Sequence, residues 1–302
     1  MGETTRSNAL LLFAVTAWGA SFVAARVVLT TLDPVTLAAV RFSIASLVFL
    51  PLLINRQLRG VGVRTTDIPA FLLLGQVGVS VYFWLQYAGV RLTSAAVSSL
   101  LVVGLAPIIT AVLSRATLRE PMGGGLMCSL LLGLVGVGVV ATQGGLHGSV
   151  RSGFLLGSVC LVCDAFFFAV YSTQVRRLGA RYPSVTITAA ITLSGAAGLL
   201  LISTVAGDWR RLALLSPVQW AAVVYLALVC SIMAYFAYNH ALSRIEAAKA
   251  SAWLYLEPVV AAALGVTLLK ETAGLRTLLG GLMIVASLYL IHSHRGDRRP
   301  AA

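Results

Sequence analysis

Two acidic residues stand inside long apolar stretches of the sequence, where an ionised side chain is out of place. Asp164 lies at the middle of one stretch, and Glu257 lies near the middle of another, directly before Pro258. An acid at the centre of a membrane helix costs about 2.5–3.5 kcal/mol, so such residues are functional candidates by default. Two carboxylates at similar depth suit the binding of an amine or the transfer of protons. The alternatives are a protonated Asp164 that hydrogen-bonds to a Ser or Thr, and a purely structural Glu257–Pro258 pair.

Two arginines also lie inside apolar stretches, Arg26 near the end of the first and Arg41 in the second. A guanidinium that faces a cavity binds a carboxylate with its planar fork of donors, or pairs with an acidic side chain. The alternative is that both side chains extend to the membrane surface. Arg41 has no basic counterpart in the second half of the chain, where Ala190 takes the corresponding place. This asymmetry favours a functional role for Arg41.

Polar and aromatic side chains recur at helical spacing in three further stretches. They are Gln76, Ser80 and Phe83 in the third stretch, Tyr235, Tyr238 and Asn239 in the eighth, and Trp253 in the ninth. Such groups suit a cavity for an amphipathic organic solute. Hydrogen bonds between helices and aromatic belts at the membrane interfaces account for them equally well. The same two alternatives apply to Tyr82, Trp84, Trp220 and Tyr225.

The sequence carries no motif for a metal or a nucleotide cofactor. Cys160 and Cys163 form a Cys-x-x-Cys pair, but no second pair and no nearby His completes a metal site. A Gly-rich loop ending in Lys-Ser or Lys-Thr, which would bind the phosphates of ATP, is also missing. We therefore expect no cofactor and regard a proton as the candidate coupling ion.

The composition places these residues in a bilayer. Of the 302 residues, 59% are hydrophobic and 11% are charged, whereas soluble domains carry about 25% charged residues. The mean hydropathy is +0.92, which leaves too little polar sequence to cover a soluble surface. The net charge of +12 comes mainly from arginines in short connections between apolar runs. This distribution favours membrane topology over nucleic-acid binding as its cause.

Ten apolar runs have the length of roughly 20 residues that a membrane helix needs. They cover residues 9–29, 35–54, 68–90, 94–113, 126–142, 153–175, 185–206, 218–240, 250–269 and 275–291. If the N-terminus is cytoplasmic, the inner connections and tails carry fourteen Lys and Arg and the outer connections carry six. That excess obeys the positive-inside rule. The sequence predicts an all-α integral membrane protein of ten transmembrane helices, in a bacterial-type inner membrane with both termini cytoplasmic.

The two halves of the chain, residues 1–146 and 147–302, share a spacing pattern. The matching pairs are Tyr82 and Arg91 with Tyr235 and Arg244, nine residues apart, and Pro107 and Glu120 with Pro258 and Glu271, thirteen residues apart. Five spans per half is an odd number, so the halves are expected to be inverted five-helix repeats. Inverted repeats are typical of alternating-access carriers with a midplane site. The two repeated glutamates are expected to cap a helix junction.

The chain resembles the EamA-type ten-span carriers of the drug/metabolite transporter superfamily over essentially its whole length. The matching residues are Trp18-Gly19, Arg41-Phe42, Thr93 to Pro107 with Arg119-Glu120, and Ala247-Ala248 to Glu257-Pro258 with Lys270-Glu271. The resemblance implies carrier activity and adds Trp18 to the candidate substrate-binding residues. Members of the family usually repeat this tryptophan in the sixth span, and that position falls near Asp164 here. The departure points to a different substrate or ion.

These observations favour a secondary transporter that exports small organic metabolites, amino acids first among them, through a midplane cavity between the repeats. Carriers of amines, drugs or nucleosides are the alternatives within transport. A membrane-embedded lipid or head-group transferase is the alternative from another class, and it would need convergent His, Asp or Ser groups near one interface. The expected partners are a small solute and the lipid bilayer. The glycine-rich fifth and tenth spans suit either internal scaffolding or a homodimer.

Overall fold

The computed structural model of the chain describes residues 3–93, 95–141, 153–269 and 274–293. The regular elements in these ranges are all helices. Apolar side chains cover much of the outer surface of the bundle, for example Leu155 at 78% exposed and Val205 at 91% exposed. An exterior of this kind suits lipid as the surrounding solvent. The predicted boundary between residues 146 and 147 lies outside the described residues.

Among the described residues, seven helices are long and apolar enough to cross a membrane. They are Thr5–Ala25, Pro34–Leu58, Thr65–Gly89, Leu101–Leu118, Phe154–Leu178, Ser184–Ala206 and Pro217–Leu242. Two further apolar helices, Gly124–Val140 and Leu275–Ile291, are shorter, and the ninth predicted span is divided by a turn. The all-helical membrane class is confirmed, whereas the ten-span count and the inversion stay predictions.

The first half begins with two long helices and a short connection. Its helices are α1 (Glu3–Val28), α2 (Pro34–Leu58), α3 (Ile68–Gly75), α4 (Tyr82–Leu92), α5 (Ala95–Leu118) and α6 (Gly124–Ala141). Asp33 caps α2, because its Oδ1 accepts a hydrogen bond from the backbone N–H of Thr36 at 2.9 Å. Pro34 follows at the first helical position, where the missing backbone donor costs nothing.

The second half repeats this order of helices with one exception. Its helices are α7 (Phe154–Leu178), α8 (Ser184–Ala206), α9 (Pro217–Tyr225), α10 (Tyr235–Leu242), α11 (Ala247–Ala252), α12 (Glu257–Leu269) and α13 (Leu275–Ser293). Two helices, α11 and α12, stand where the first half has α5 alone. A capping box begins α9: Ser216 accepts from the backbone N–H of Gln219, and the Gln219 side chain accepts from the backbone N–H of Ser216.

A π-helical segment interrupts the third span of each half. The first π-helical segment, Gln76–Val81, joins α3 to α4, and the second, Leu226–Ala234, joins α9 to α10. A π-helix bonds residue i to residue i+5, so each segment takes up extra residues and rotates the helix that follows. Each segment ends directly before the repeat-related tyrosine, Tyr82 or Tyr235.

The ninth predicted span, residues 250–269, is broken in its first half. A 3-10 turn, Trp253–Leu256, separates α11 from α12, and Pro258 is the second residue of α12. Proline has no N–H to donate to the carbonyl of Leu254, four residues earlier, so regular α-helical bonding fails there. The break places Glu257 at the first position of α12.

Glu120 ties the end of α5 to the start of α11. Its two carboxylate oxygens accept from the backbone N–H of Ala247, the first residue of α11, at 3.2 and 2.9 Å. The Nε of Arg176, near the end of α7, lies 3.2 Å from Glu120 Oε1. Such contacts satisfy a backbone donor that the helix itself leaves free. The capping role predicted for Glu120 is present, and its counterpart Glu271 lies outside the described residues.

The glycine-rich helices α6 and α13 pack against each other. A Cβ atom on Gly136 would lie 2.9 Å from the carbonyl oxygen of Gly280, and a Cβ atom on Gly280 would lie 2.6 Å from that of Gly136. The two backbones approach this closely because neither position has a side chain. These glycines therefore scaffold contacts within the chain.

We expect Gly280→Ala to lower the free energy of unfolding by about 1–3 kcal/mol, the usual cost of overpacking. The added methyl group meets backbone atoms of Gly136 and Val140, which cannot turn aside as the end of a side chain can. The matched control is Gly281→Ala, since the nearest atom to a Cβ there is Val259 Cγ2 at 4.0 Å. Thermal unfolding of both detergent-solubilised variants measures the effect, and equal midpoints would contradict it.

Candidate functional site

A cavity of about 80 Å³ lies between helices of both halves, with room for roughly five to eight water molecules or a small organic solute. Among the described residues, its walls combine aromatic rings with a basic side chain, Arg41, and an acidic one, Glu257. The lining residues are Trp18, Ser21, Ala25, Arg41, Tyr82, Phe83, Gln86, Tyr87, Val102, Val103, Ala106, Phe168, Tyr235, Leu254 and Glu257. Most of them come from the second half of α1, the start of α2, α4 and the first half of α5. These parts of the four helices lie at one end of the bundle, and the cavity is therefore closer to that end than to the other.

Arg41 is a buried guanidinium at this cavity, 3% exposed. Its Nε donates a hydrogen bond to Ser231 Oγ at 2.6 Å, and its Cζ lies 4.8 Å from the ring centre of Phe83. Ser231 belongs to the second π-helical segment and donates to the carbonyl oxygen of Leu226 at 3.0 Å. No carboxylate in the described ranges lies within ion-pair distance of Arg41. The guanidinium is thus held in place with its charge uncompensated.

Glu257 is the acidic residue of the same cavity and is 6% exposed. The 3-10 turn before α12 brings it to the cavity wall together with Leu254. Within the part of the chain that the structure describes, Glu257 and Arg41 form no ion pair with each other. A basic and an acidic side chain that are buried without pairing are costly to keep ionised unless a ligand compensates both charges.

Aromatic rings from both halves hold the wall rigid. Trp18 Nε1 donates to the carbonyl oxygen of Cys230 at 3.1 Å, and the Trp18 ring centre lies 5.1 Å from that of Tyr235. Edge-to-face contacts of this kind are favourable and directional. Phe83 extends the wall beside the guanidinium. Trp18, Phe83 and Tyr235 therefore join the two charged residues at the cavity, as five of the predicted site residues.

Gln76 and Ser80 lie away from this cavity and connect the first π-helical segment to α8. Gln76 Nε2 donates to the carbonyl oxygen of Ser194 at 2.7 Å, and Ser80 Oγ donates to that of Gly195 at 2.8 Å. Gln76 and Ser80 therefore form hydrogen bonds between helices, which was the alternative to a place in the cavity lining.

Tyr238, Asn239 and Trp253 also lie outside the cavity lining. Asn239 is fully buried, accepts a hydrogen bond from Tyr171 Oη at 2.8 Å and donates to Thr188 Oγ1 at 2.9 Å. Tyr238 is equally buried, and its hydroxyl shares a hydrogen bond with a serine of α7 at 3.2 Å. Trp253, in the 3-10 turn, packs against the core from a half-buried position. These residues support the elements that carry the cavity wall.

Asp164 is fully buried at the middle of α7 and does not line the cavity. Neither carboxyl oxygen has a hydrogen-bond partner among the described residues, so the alternative of a hydrogen bond to a Ser or Thr is not borne out there. Tyr82 and Gln86, which do line the cavity, face this carboxyl group. Among the described residues, Glu257 lines this cavity and Asp164 does not.

Several cavity residues escape the sequence analysis, among them Tyr82, Gln86 and Phe168. An interhelical contact or a place in an interfacial belt was the alternative for Tyr82, but its side chain is 7% exposed and lines the cavity. The available signal is helical spacing, since residues 82, 83, 86 and 87 share one face of α4.

Phe168 takes the place that Trp18 has in the first half. The ring of Phe168 lies 6.0 Å from that of Tyr82, as Trp18 lies against the repeat-related Tyr235. The counterpart of the first-span tryptophan is therefore Phe168, one turn beyond Asp164. Asp164 therefore does not stand in the place of the tryptophan and is an additional acidic residue on α7.

The model of the EamA-like transporter family matches the chain twice, at residues 5–142 and at residues 155–293. The two matches confirm the resemblance found in the motifs and show that the chain contains two repeats of the same family unit. They cover nearly all the residues that the structure describes.

Curated relatives match along nearly their whole length. A protein of Archaeoglobus fulgidus named "Uncharacterized transporter" is 27% identical over 287 residues, which cover 93% of this chain and 97% of the relative. The "Uncharacterized transporter YdfC" of Bacillus subtilis is 30% identical over 271 residues, 90% of this chain and 86% of the relative. A "Probable terminal-alkyne amino-acid exporter" of Streptantibioticus cattleyicolor is 28% identical over 298 residues, 97% and 95% of the two chains.

A solved crystal structure shares the fold, with a TM-score of 0.79 at 19% sequence identity, and the alignment covers 95% of this chain and 96% of that chain. The family and these relatives are transporters, so the expected absence of enzymatic activity agrees with them and the transferase alternative is set aside. The chain is a multi-pass membrane protein and belongs to the EamA-like transporter family.

Proposed function

We propose that the chain is a secondary carrier that exports small α-amino acids across a bacterial-type inner membrane by alternating access. One observation carries the proposal: a buried guanidinium, Arg41, and a buried carboxylate, Glu257, line one cavity without pairing with each other. An α-amino acid is a zwitterion that compensates both charges at once. Its carboxylate matches the fork of the guanidinium, and its ammonium group matches Glu257.

The cavity also limits the size and chemistry of the solute. A volume of about 80 Å³ suits a small molecule, and the rings of Trp18 and Tyr235 form a wall on which an ammonium group is additionally stabilised. A simple amine would leave Arg41 without a counter-charge, and a neutral nucleoside would leave both charges uncompensated. These alternatives therefore serve as competitors in the test.

Ten membrane crossings fit the helices that the structure contains. The short apolar helices α6 and α13 have 18 and 19 residues, or about 27–29 Å at 1.5 Å per residue, close to the thickness of the hydrocarbon core. The broken element from α11 to α12 supplies the tenth crossing. With five crossings in each repeat, the second repeat has the opposite orientation in the membrane to the first. This arrangement supports rocking of one repeat against the other around the cavity. Because ten is an even number, both termini lie on the same side, the cytoplasmic one.

The direction of transport is supported by a relative. The Streptantibioticus cattleyicolor protein, 28% identical over 97% of this chain, is named for amino-acid export. Because that name refers to a different protein, its terminal-alkyne substrate is not carried over, and only the class of solute and the direction enter the proposal.

The test is counterflow in proteoliposomes that contain the purified full chain and are preloaded with unlabelled alanine. We expect labelled alanine to enter, and we expect excess alanine to compete at least about tenfold better than ethylamine or propionate, each of which lacks one charged group. Protein-free liposomes are the control. Competition by ethylamine equal to that by alanine would replace the proposal with an amine carrier. Counterflow of a nucleoside but of no amino acid would overturn it.

A further inference from the structure

A buried carboxyl group on α7 has no part in the proposed solute site. Asp164 is fully buried, and neither of its oxygens has a hydrogen-bond partner in the part of the chain that the structure describes. A carboxylate that is ionised without a hydrogen bond or a nearby cation is far more costly to bury than its neutral form. The geometry therefore calls for a bound proton at this position.

The described groups close to Asp164 carry no positive charge that would compensate an ionised carboxylate. They are Tyr82 and Gln86 on α4, Tyr235 on α10, and Cys160 one turn earlier on α7. Helix α5 also packs along α7, but its ionisable side chain among the described residues, Arg115, is in its last turn. On the side that faces the cavity, the carboxyl group of Asp164 is thus surrounded by polar side chains without a formal charge.

A polar route connects Asp164 to the cavity. Tyr82 and Gln86 face Asp164 and also line the cavity, and Gln86 Nε2 donates a hydrogen bond to Tyr82 Oη at 2.9 Å. We propose that Asp164 is a proton-binding site which couples transport to the proton gradient, and that protons reach it from the cavity past Tyr82 and Gln86. The coupling rests on the proposed function, whereas the bound proton does not.

The step is a proton transfer without redox chemistry. Cavity water delivers a proton to one carboxylate oxygen of Asp164, an O–H bond forms, and the reverse step returns the proton when the cavity faces the other side. Glu257 lies at the cavity wall and Asp164 lies behind it. Solute and proton therefore do not compete for one carboxylate, which separates this arrangement from a carrier with a single shared acid.

Infrared difference spectroscopy of the lipid-reconstituted chain tests the bound proton without any solute. Wild type at neutral pH is expected to show a carbonyl band of a protonated carboxyl group that is lost in Asp164→Asn. The matched control is Glu246→Gln, which removes an acid that lies 2.9 Å from Lys249 Nζ and is partly exposed; this variant should keep the band. A wild-type spectrum from which Asp164→Asn removes no such band would overturn the proposal.

Uptake driven by an imposed pH gradient tests the coupling. Wild type is expected to accumulate labelled alanine against its gradient, and Asp164→Asn is expected to lose this accumulation while its thermal midpoint stays close to that of wild type. Gln86→Leu should keep the infrared band and slow proton-driven uptake. Accumulation by Asp164→Asn that still follows the pH gradient would overturn the coupling role. If wild type moves no amino acid but shows the band, the proposed function fails and the proton site stands.

Discussion

Replacing Arg41 by glutamine is expected to lower alanine counterflow by about 10- to 100-fold, because a hydrogen bond to a charged group contributes about 1.5–3 kcal/mol. The guanidinium is the buried cation of the cavity, so a glutamine leaves the carboxylate of the solute without a counter-charge. Arg41→Lys keeps the charge but loses the planar fork, and an intermediate rate is expected for it.

The Arg41→Gln variant should be at least as stable as the wild type. Arg41 has no acidic partner within ion-pair distance among the described residues, and an uncompensated buried charge destabilises the folded state. Thermal unfolding in detergent is therefore expected to give an unchanged or higher midpoint for Arg41→Gln. Loss of transport together with a gain in stability identifies a residue that serves binding and not the fold.

The control for Arg41 is Arg59→Gln. Arg59 is exposed, and its Nε donates to Asn55 Oδ1 at 3.0 Å on the same helix, so counterflow should be unaffected. A lowered midpoint in Arg41→Gln would show instead that the hydrogen bond to Ser231 holds the helices together, and the substrate-binding role would be lost.

Replacing Glu257 by glutamine is expected to lower alanine counterflow by a similar factor of about 10–100. Glutamine has nearly the same shape, so the variant removes the negative charge that compensates the ammonium group and little else. The two variants should differ in selectivity. Arg41→Gln should weaken competition by propionate, whereas Glu257→Gln should weaken competition by ethylamine.

Alanine counterflow in the presence of excess ethylamine or propionate measures this difference in selectivity. Glu246→Gln is the control for the removal of an acidic side chain. Glu246 forms an ion pair with Lys249 outside the cavity. If Glu257→Gln reduced competition by ethylamine and by propionate equally, Glu257 would have a structural role beside Pro258, and the zwitterion site would be refuted.

The charged residues of the site could be predicted from the sequence because the cost of a membrane-buried charge singles them out. Arg41 and Glu257 are exceptions in apolar runs, and both line the cavity. The same argument selects Asp164 correctly as a buried acid but cannot tell which way it faces, because the rotation of a helix is set by contacts with its neighbours. The apolar spans and the two repeats could be predicted as well, because hydropathy and residue spacing are properties of the sequence alone.

The polar residues of the third span show where sequence reasoning stops. Gln76, Ser80 and Phe83 lie at α-helical spacing and so should share a face, yet Gln76 and Ser80 contact α8 while Phe83 lines the cavity. The first π-helical segment separates them and changes the angle between successive turns. No residue type in Gln76–Val81 signals a π-helix, because its formation depends on close packing against α8.

The two π-helical segments also bear on the history of the chain. A π-helical turn holds more residues than an α-helical turn, because each hydrogen bond spans five residues instead of four. Both repeats carry such a segment in the third span, ending directly before Tyr82 or Tyr235. Duplication of a half-length ancestor that already carried the segment would leave it at the same place in both repeats. The segments differ in length, six residues against nine, and the longer one carries Ser231, which supports the cavity arginine of the other repeat.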